Sequence, residues 1–182
     1  KMENSDGIVL ATPNYAFQVT AHMKNFLDRF AYFYHRPRFF DKICTAIVTQ
    51  GIFGGKKIRK YLETMGRNFG FQVTRGSCLT TWNPMTEPQK KRLTAEMQIA
   101  AKRFHAGLAQ PFPPPPSLVR LMIFRMQRAS IMALDEDFRD YRYFREMGWF
   151  ESDYYYDTYL GPAKKTAGRL FDLLGWMTAK LM

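Results

Sequence analysis

Short apolar runs alternate with helical spacings along the first 110 residues of the chain. The segments Gly7–Thr12 and Ile43–Thr49 are continuously apolar, which is typical of parallel strands buried on both faces. After each run the apolar residues recur every three or four positions, and this spacing predicts two amphipathic helices. These positions are Val19, Met23, Phe26, Leu27 and Phe30 in the first helix and Ile58, Leu62, Met65 and Phe69 in the second.

The same pattern continues to residue 108. Gly70 is a natural end for the second helix, and Phe71–Leu79 is predicted to be a third strand. A long amphipathic helix is predicted to begin near Glu87 and Pro88. Strands that alternate with helices in this order predict an α/β fold, in which a parallel sheet is covered by helices on both faces.

The last third of the chain differs from the first part in its composition. Residues 111–116 are proline-rich and predict a stiff spacer between a core at residues 1–110 and a helical, aromatic-rich extension at residues 117–182. Helices are predicted over Leu118–Leu134 and over Pro162–Met182. The second of these carries one apolar stripe, formed by Leu170, Phe171, Leu174, Met177 and Leu181.

The composition and charge of the chain limit the classes of protein to which it can belong. The 182 residues are 46% hydrophobic, enough for one domain with an appendage. The net charge is +11, but the basic residues lie in small groups, which favours a solubilising surface over a polyanion-binding one. Cys44 and Cys78 suggest neither a disulfide framework nor a zinc site. No apolar run is long enough to span a membrane and no signal sequence opens the chain, so we expect a cytoplasmic protein.

Two loops have unusual local sequences, rich in proline or glycine. Ligands of open parallel sheets bind at the carboxyl ends of the strands, which here are followed by Thr12–Tyr15 and Thr49–Gly55. Proline fixes a φ angle, and glycine lets the backbone approach a ligand closely. These loops are therefore suited to presenting backbone N–H groups to a flat polar ligand. From spacing alone, a plain strand end and a plain turn remain equally good interpretations.

The residues of these loops resemble a known family. A-T-P-N-Y-A-F followed by M-K-N-F-L-D-R is similar to the signature of the NADPH-dependent FMN reductase family, flavodoxin-like proteins that include the iron–sulfur flavoproteins, and V-T-Q-G-I-F-G-G resembles its second flavin loop. The resemblance covers roughly residues 5–80. It implies a flavodoxin-like parallel sheet and an FMN held largely by backbone groups. The cofactor-binding residues that it implies are Pro13, Asn14, Tyr15, Ala16, Phe17, Gln50, Gly51, Ile52, Phe53, Gly54 and Gly55.

The chain departs from the family pattern at its beginning. The family's first two strands and its Ser/Thr-rich phosphate loop would precede Lys1, so we expect a fragment that lacks the N-terminal strands. Such a fragment should bind FMN weakly, because the phosphate contacts are missing. The iron–sulfur members carry their cysteine cluster in that same stretch. The sequence therefore leaves open whether this protein contains such a cluster.

The resemblance implies an FMN-dependent oxidoreductase that takes hydride from NADPH or NADH and passes electrons to a quinone, nitro compound, metal ion or protein. No catalytic side chain and no metal ligand are expected, because the flavin supplies the redox chemistry and His22, His35 and His105 have no partner at metal-ligand spacing. The alternative is a non-enzymatic flavodoxin-like module whose basic helical tail binds a partner protein, nucleic acid or an anionic membrane surface.

The extension has three possible roles: a subunit-interaction element, a lid over the flavin, or a membrane-surface helix. Aromatic enrichment favours the first, and the acidic residues near Trp149 disfavour an anionic membrane. We expect Tyr141–Tyr159 to pack across the interface of a homodimer or a higher homo-oligomer. Nucleic acid is not an expected partner.

Overall fold

The computed structural model describes residues 2–110 and 113–179. The chain divides into two compact units, residues 1–112 and residues 113–182, and each is described by itself. Lys1, Pro111 and Phe112 of the predicted spacer, and residues 180–182 of the last predicted helix lie outside the described residues.

The first unit is built on a parallel sheet whose central strand pairs with each of the other described strands. Its strands are β1 (Gly7–Pro13), β2 (Ile43–Gln50), β3 (Gln72–Val73) and β4 (Ser77–Thr80). β1 runs along one side of β2, in register from Gly7 opposite Ile43 to Pro13 opposite Thr49. β3 and β4 follow one another along the other side. The α/β fold with a parallel sheet is confirmed.

The prediction of one continuous third strand over Phe71–Leu79 is wrong, because the chain leaves the sheet between β3 and β4. The amide of Gly76 donates to the buried carboxylate of Glu63 at 2.9 Å instead of to a strand. Gly76 also lies so close to β2 that a Cβ atom there would be 2.0 Å from the carbonyl oxygen of Ala46. A hydrogen bond to a side chain thus takes the place of one backbone hydrogen bond between strands.

Helices cover both faces of this sheet, as predicted. They are α1 (Ala21–Arg29), α2 (Gly55–Asn68) and α3 (Glu87–Leu108), and a 3-10 turn, Ala31–Tyr34, follows α1. Gly66 of α2 lies against Cys44, whereas Gly107 of α3 lies against Ile43. Consecutive strand residues point to opposite faces, so α2 and α3 are on opposite sides. Leu27 of α1 belongs to the same buried cluster as Cys44.

Local signals fix the ends of the helices. The Thr20 hydroxyl accepts a hydrogen bond from the amide of Met23 at 3.2 Å and begins α1. Gly70, with φ of +107°, follows the end of α2 in the left-handed region that glycine tolerates best. The Gln89 side chain accepts from the amide of Thr86 at 2.8 Å at the start of α3. Each of these ends lies within a few residues of its predicted position.

The second unit contains α4 (Leu118–Met132), α5 (Arg139–Glu146) and α6 (Pro162–Ala179). Gly168 of α6 lies against Arg125, and Gly175 lies against Met126 and Ala129, so the backbones of α4 and α6 approach closely. Among the described residues no helix is long and apolar enough to cross a membrane.

Aromatic residues of α5 and of the segment between α5 and α6 lie in the core of this unit. Phe144, Trp149 and Tyr154 are buried, and the Trp149 indole N–H donates to the carbonyl of Tyr155 at 2.9 Å. Burial raises the pKa of Tyr155 strongly. α4 packs against this segment within the same unit, and the ring of Phe124 is 4.5 Å from that of Tyr155. The packing of Tyr141–Tyr159 across a subunit interface stays a prediction.

A buried ionic network joins α4 to α6. Arg125, 5% exposed, donates to Asp172 at 2.8 Å and also pairs with Asp153. Arg128 donates to the other oxygen of Asp172 at 2.7 Å and to the carbonyl of Ser152. Two arginines therefore share one aspartate at the contact of the two helices, so that removal of this carboxylate would leave both cations poorly compensated.

We expect Gly76→Ala to destabilise the first unit by about 2 kcal/mol or more, because the new methyl group would overlap the backbone of β2. Amide hydrogen exchange of residues 43–50 measures this change. Gly51→Ala is the matched control, since a Cβ there meets no atom within 4 Å, and its effect should stay within about 0.5 kcal/mol. Equal protection in the two variants would contradict the close approach of Gly76 to β2.

We expect Asp172→Ala to destabilise the second unit by about 2–4 kcal/mol, because two largely buried guanidinium groups lose their shared partner. Urea unfolding followed by the fluorescence of Trp149 measures the change. The control is Glu136→Ala, which removes the exposed pair with Arg145 and should cost less than about 1 kcal/mol. Similar losses in both variants would show that the network contributes no more than a surface pair.

Candidate functional site

The structure brings the two predicted loops together at the carboxyl edge of the sheet. β1 and β2 end side by side, and the amide of Asn14 donates to the carbonyl of Thr49 at 2.7 Å. The Asn14 side chain then spans the gap between the loops, because its Nδ2 donates to the carbonyl of Phe53 at 2.8 Å. Residues 13–18 and 50–55 thus form one continuous surface.

The first loop contains a tight turn in an unfavourable backbone conformation. Tyr15 and Gln18 exchange two backbone hydrogen bonds of 3.2 and 3.0 Å. The two residues between them, Ala16 and Phe17, have φ angles of 48° and 63°. Positive φ at both central positions is the geometry of a type I′ turn, and it costs non-glycine residues roughly 1–2 kcal/mol each. The fold therefore maintains a strained turn where the ligand loop was predicted.

The second loop is held by the side chain of Gln50. Its Oε1 accepts from the amide of Gly55 at 2.7 Å, and its Nε2 donates to the hydroxyl of Thr80 at 3.4 Å. Gly54 has φ of +99°, and a Cβ there would lie 2.6 Å from the ring of Phe17. A glycine is therefore required at position 54, because the φ angle is positive and there is no space for a side chain. Gly51 faces open space, so the surface beside it is accessible to a ligand.

This surface is both apolar and rich in unpaired polar backbone. Tyr15, Phe17, Ile52 and Phe53 are each between 57% and 69% exposed, and the rings of Phe17 and Phe53 are 5.4 Å apart. Within the described residues, the amides of both central turn residues and of Ile52 and Phe53 meet no acceptor. The Asn14 Oδ1 atom is buried and likewise has no donor among them. Unmet donors and an unmet acceptor on an apolar surface fit a flat ligand with polar edges.

The reactive side chains of the first unit lie away from this surface. Burial raises the pKa of the Cys44 thiol to about 12, so this thiol stays protonated at neutral pH and is a poor nucleophile. Burial also raises the pKa of Cys78. Lys24 and Asp28 form an exposed ion pair on α1. No group of three metal-ligating side chains occurs in residues 2–110 and 113–179.

A cavity of about 190 Å³ opens at the end of β4. Its lining residues are Thr80, Trp82, Gln89, Arg92, Leu93 and Glu96. The hydrogen bond from Gln50 to Thr80 connects this cavity to the glycine loop. Sequence reasoning missed Thr80 and Trp82, because the parallel pairing of β4 with β2, which brings the ends of these strands together, is visible only in the fold.

The first part of the chain matches a family model. That model, described as NADPH-dependent FMN reductase, matches residues 1–82, which contain both loops. Residues 1–82 are therefore similar to the NADPH-dependent FMN reductase family. An iron–sulfur flavoprotein of Archaeoglobus fulgidus is 34% identical to this chain over 70 residues, which are 38% of the chain and 32% of that protein. The chain thus spans about a third of the length of this curated relative.

Two solved structures resemble the chain loosely. Rubredoxin oxygen:oxidoreductase from Desulfovibrio gigas has a TM-score of 0.41 at 20% identity, over 60% of this chain and 25% of that one. A flavodoxin, WrbA-like protein from Agrobacterium tumefaciens has a TM-score of 0.39 at 17% identity, over 56% of this chain and 70% of that one. The similarity to the NADPH-dependent FMN reductases rests on residues 1–82, and not on these two structures.

We expect Ala16→Gly to stabilise the first unit by about 0.5–1 kcal/mol, because glycine tolerates the positive φ of this turn position. Hydrogen exchange of β1 and β2 reports the change. Ala95→Gly in the exposed middle of α3 is the control, and it should destabilise by up to about 1 kcal/mol. Destabilisation by both substitutions would contradict the strained conformation of the turn.

Proposed function

We propose that the chain is part of an FMN-dependent oxidoreductase and that the joined loops hold the isoalloxazine ring. The observation that carries this proposal is the Asn14–Phe53 hydrogen bond, which makes one surface of the two loops. The amides of Ala16, Phe17, Ile52 and Phe53 on this surface meet no acceptor among the described residues. The similarity of residues 1–82 to the FMN reductase family supports the same ligand.

The chemistry of the surface fits this ring system. An isoalloxazine has a flat apolar face, carbonyl and ring-nitrogen acceptors, and one N–H donor. The amides of Ala16, Phe17, Ile52 and Phe53 are donors suited to the acceptors, and the buried Oδ1 of Asn14 is an acceptor suited to the N–H group. The exposed aromatic rings offer the apolar contact. The unpaired amides, the Asn14 Oδ1 atom and the exposed aromatic rings therefore each have a chemical counterpart on the isoalloxazine ring.

When bound, FMN supplies hydride acceptance and electron transfer. The residues of this chain would bind and orient the ring, and their N–H dipoles would favour negative charge on it without reorganisation. Burial of Cys44 and the raised pKa of both thiols agree with a protein that contributes no nucleophile. As part of the proposal, NADPH or NADH is the hydride donor, and the acceptor is a quinone, nitro compound, metal ion or protein.

The charge distribution does not favour the alternative of a basic tail that recruits a partner. Residues 113–182 contain ten Lys and Arg residues against nine Asp and Glu residues, a net charge of about +1. The excess positive charge therefore belongs to residues 1–112.

Riboflavin is a sharp probe of the proposal, because it carries the isoalloxazine without the phosphate. We expect riboflavin fluorescence to be quenched on titration with the chain. The affinity for FMN should be similar if the chain provides no phosphate contact, and higher if it does. Bleaching of bound FMN by NADPH or NADH under anaerobic conditions tests the oxidoreductase part. Absence of quenching by either flavin would contradict the proposed site.

We expect Gly51→Val to weaken riboflavin binding by about tenfold or more, because its side chain would extend into the open space beside the loop. The fold should persist, since no atom of the described residues lies within 4 Å of that Cβ. Gly161→Val in the other unit, where a Cβ also meets open space, is the matched control and should leave the affinity unchanged. Unchanged affinity in a folded Gly51→Val variant would exclude Gly51 from the site.

A further inference from the structure

The cavity at the end of β4 lies at the carboxyl edge of the sheet, beside the surface formed by the two loops. Gln50 and Thr80 are opposite one another in the pairing of β2 with β4, and adjacent strands are roughly 5 Å apart. The amide of Thr81 donates to the carbonyl of Gln50 at 2.9 Å, which fixes the cavity next to the glycine loop. A ligand in the cavity would therefore be a neighbour of a ligand held by the loops.

One side of α3 forms the helical wall of this cavity. Four of its lining residues follow the i, i+3, i+4, i+7 spacing along the helix, and positions with this spacing share one side. They are Gln89, Arg92, Leu93 and Glu96. The other lining residues, Thr80 and Trp82, come from the end of β4 and the loop after it. The cavity is thus complete within the first unit.

Trp82 offers a flat apolar surface to this cavity. It is 48% exposed, and within residues 2–110 and 113–179 no ring contacts it and no acceptor meets its indole N–H. The cavity volume is about 190 Å³, whereas roughly 150 Å³ suffices for benzene in an engineered cavity. One aromatic ring with a substituent therefore fits, and it could stack on Trp82 and contact Leu93.

The polar groups of the cavity are mostly hydrogen-bond donors. The Nε atom of Arg92 is 3.6 Å from the Glu96 carboxylate, which is too far for a hydrogen bond. The two terminal nitrogens of this guanidinium meet no acceptor in the described part of the chain, so they are available to a carboxylate in bidentate geometry. The Gln89 Oε1 atom already accepts from the amide of Thr86 at 2.8 Å, so the amide nitrogen of Gln89 is a further donor.

The charge at this edge of the sheet also favours an anion. Residues 1–112 contain seventeen Lys and Arg residues against seven Asp and Glu residues. Basic residues are concentrated in the first two turns of α2 and α3, which begin at this edge. They are Lys56, Lys57 and Lys60 in α2 and Lys90, Lys91 and Arg92 in α3. Positive charge near a helix N-terminus is unfavourable for the helix itself, but it attracts anions to the edge.

We propose that this cavity is a binding site for a small aromatic anion, a single ring that carries a carboxylate. The ring lies against Trp82 and Leu93, and the carboxylate accepts hydrogen bonds from Arg92 and Gln89. The position beside the two loops suits the electron-accepting substrate of the proposed oxidoreductase. That role rests on the proposed function, whereas the binding itself does not.

Titration of the ¹⁵N-labelled chain with 4-nitrobenzoate, in the absence of flavin, tests the site. The indole N–H resonance of Trp82, identified by its loss in Trp82→Phe, should shift progressively with ligand. The resonance of Trp149, which is buried in the other unit and donates to the carbonyl of Tyr155, should stay in place. An unchanged Trp82 resonance at about 10 mM ligand would overturn the proposal. Because no flavin is present, a failure of flavin binding would not affect this result.

The neutral ligand 4-nitrobenzamide tests the requirement for an anion, because it has the same ring without the charge. We expect it to bind about tenfold or more weakly than 4-nitrobenzoate, and Arg92→Gln should remove this difference. Lys91→Gln is the matched control, since it removes a neighbouring positive charge that does not line the cavity, and it should change the affinity by less than about threefold. Near-native backbone amide spectra show that both variants are folded. Equal affinities of the two ligands for the parent chain, or an unchanged preference in folded Arg92→Gln, would overturn the proposal.

Discussion

The parallel ladder between β1 and β2 is the constraint on which the candidate site depends. The two strands pair in register over the whole of β1, so their carboxyl ends stop at the same level of the sheet. The loops that follow are therefore neighbours, although 29 residues of the chain lie between the two strands. The Asn14 side chain can join them because the ladder has already placed both backbones. A shift of one residue would turn alternate side chains to the wrong face and would also separate the loops.

Much of this arrangement could be predicted from the sequence. Continuous apolar runs identified β1 and β2. The prediction that β1 is buried on both faces is wrong, because Val9 and Ala11 are exposed on one face. Periodicity identified α1, α2 and α3, because each has one face against the sheet. Gly70 marked a helix end, since few other residues accept its positive φ. The two loops were identified by their position after strands and by their resemblance to a family.

What the sequence did not reveal depends on contacts between distant residues. The interruption between β3 and β4 arises because the Glu63 carboxylate captures the amide of Gly76, and no local pattern records that bond. The strain at Ala16 and Phe17 was equally invisible, because neither residue type is typical of a left-handed turn. In α6 the apolar spacing was real, but glycines determine which side packs against α4. Periodicity gives the faces of a helix without saying which face is covered.

The ionic contact of α4 with α6 has a consequence for the response to heat. Most helix pairs are joined by apolar side chains, whose stabilisation reaches a plateau on warming, whereas the cost of removing charged groups from water falls as temperature rises. The cluster of Arg125, Arg128 and Asp172 should therefore hold these helices together relatively better in a hot cell than in a cool one.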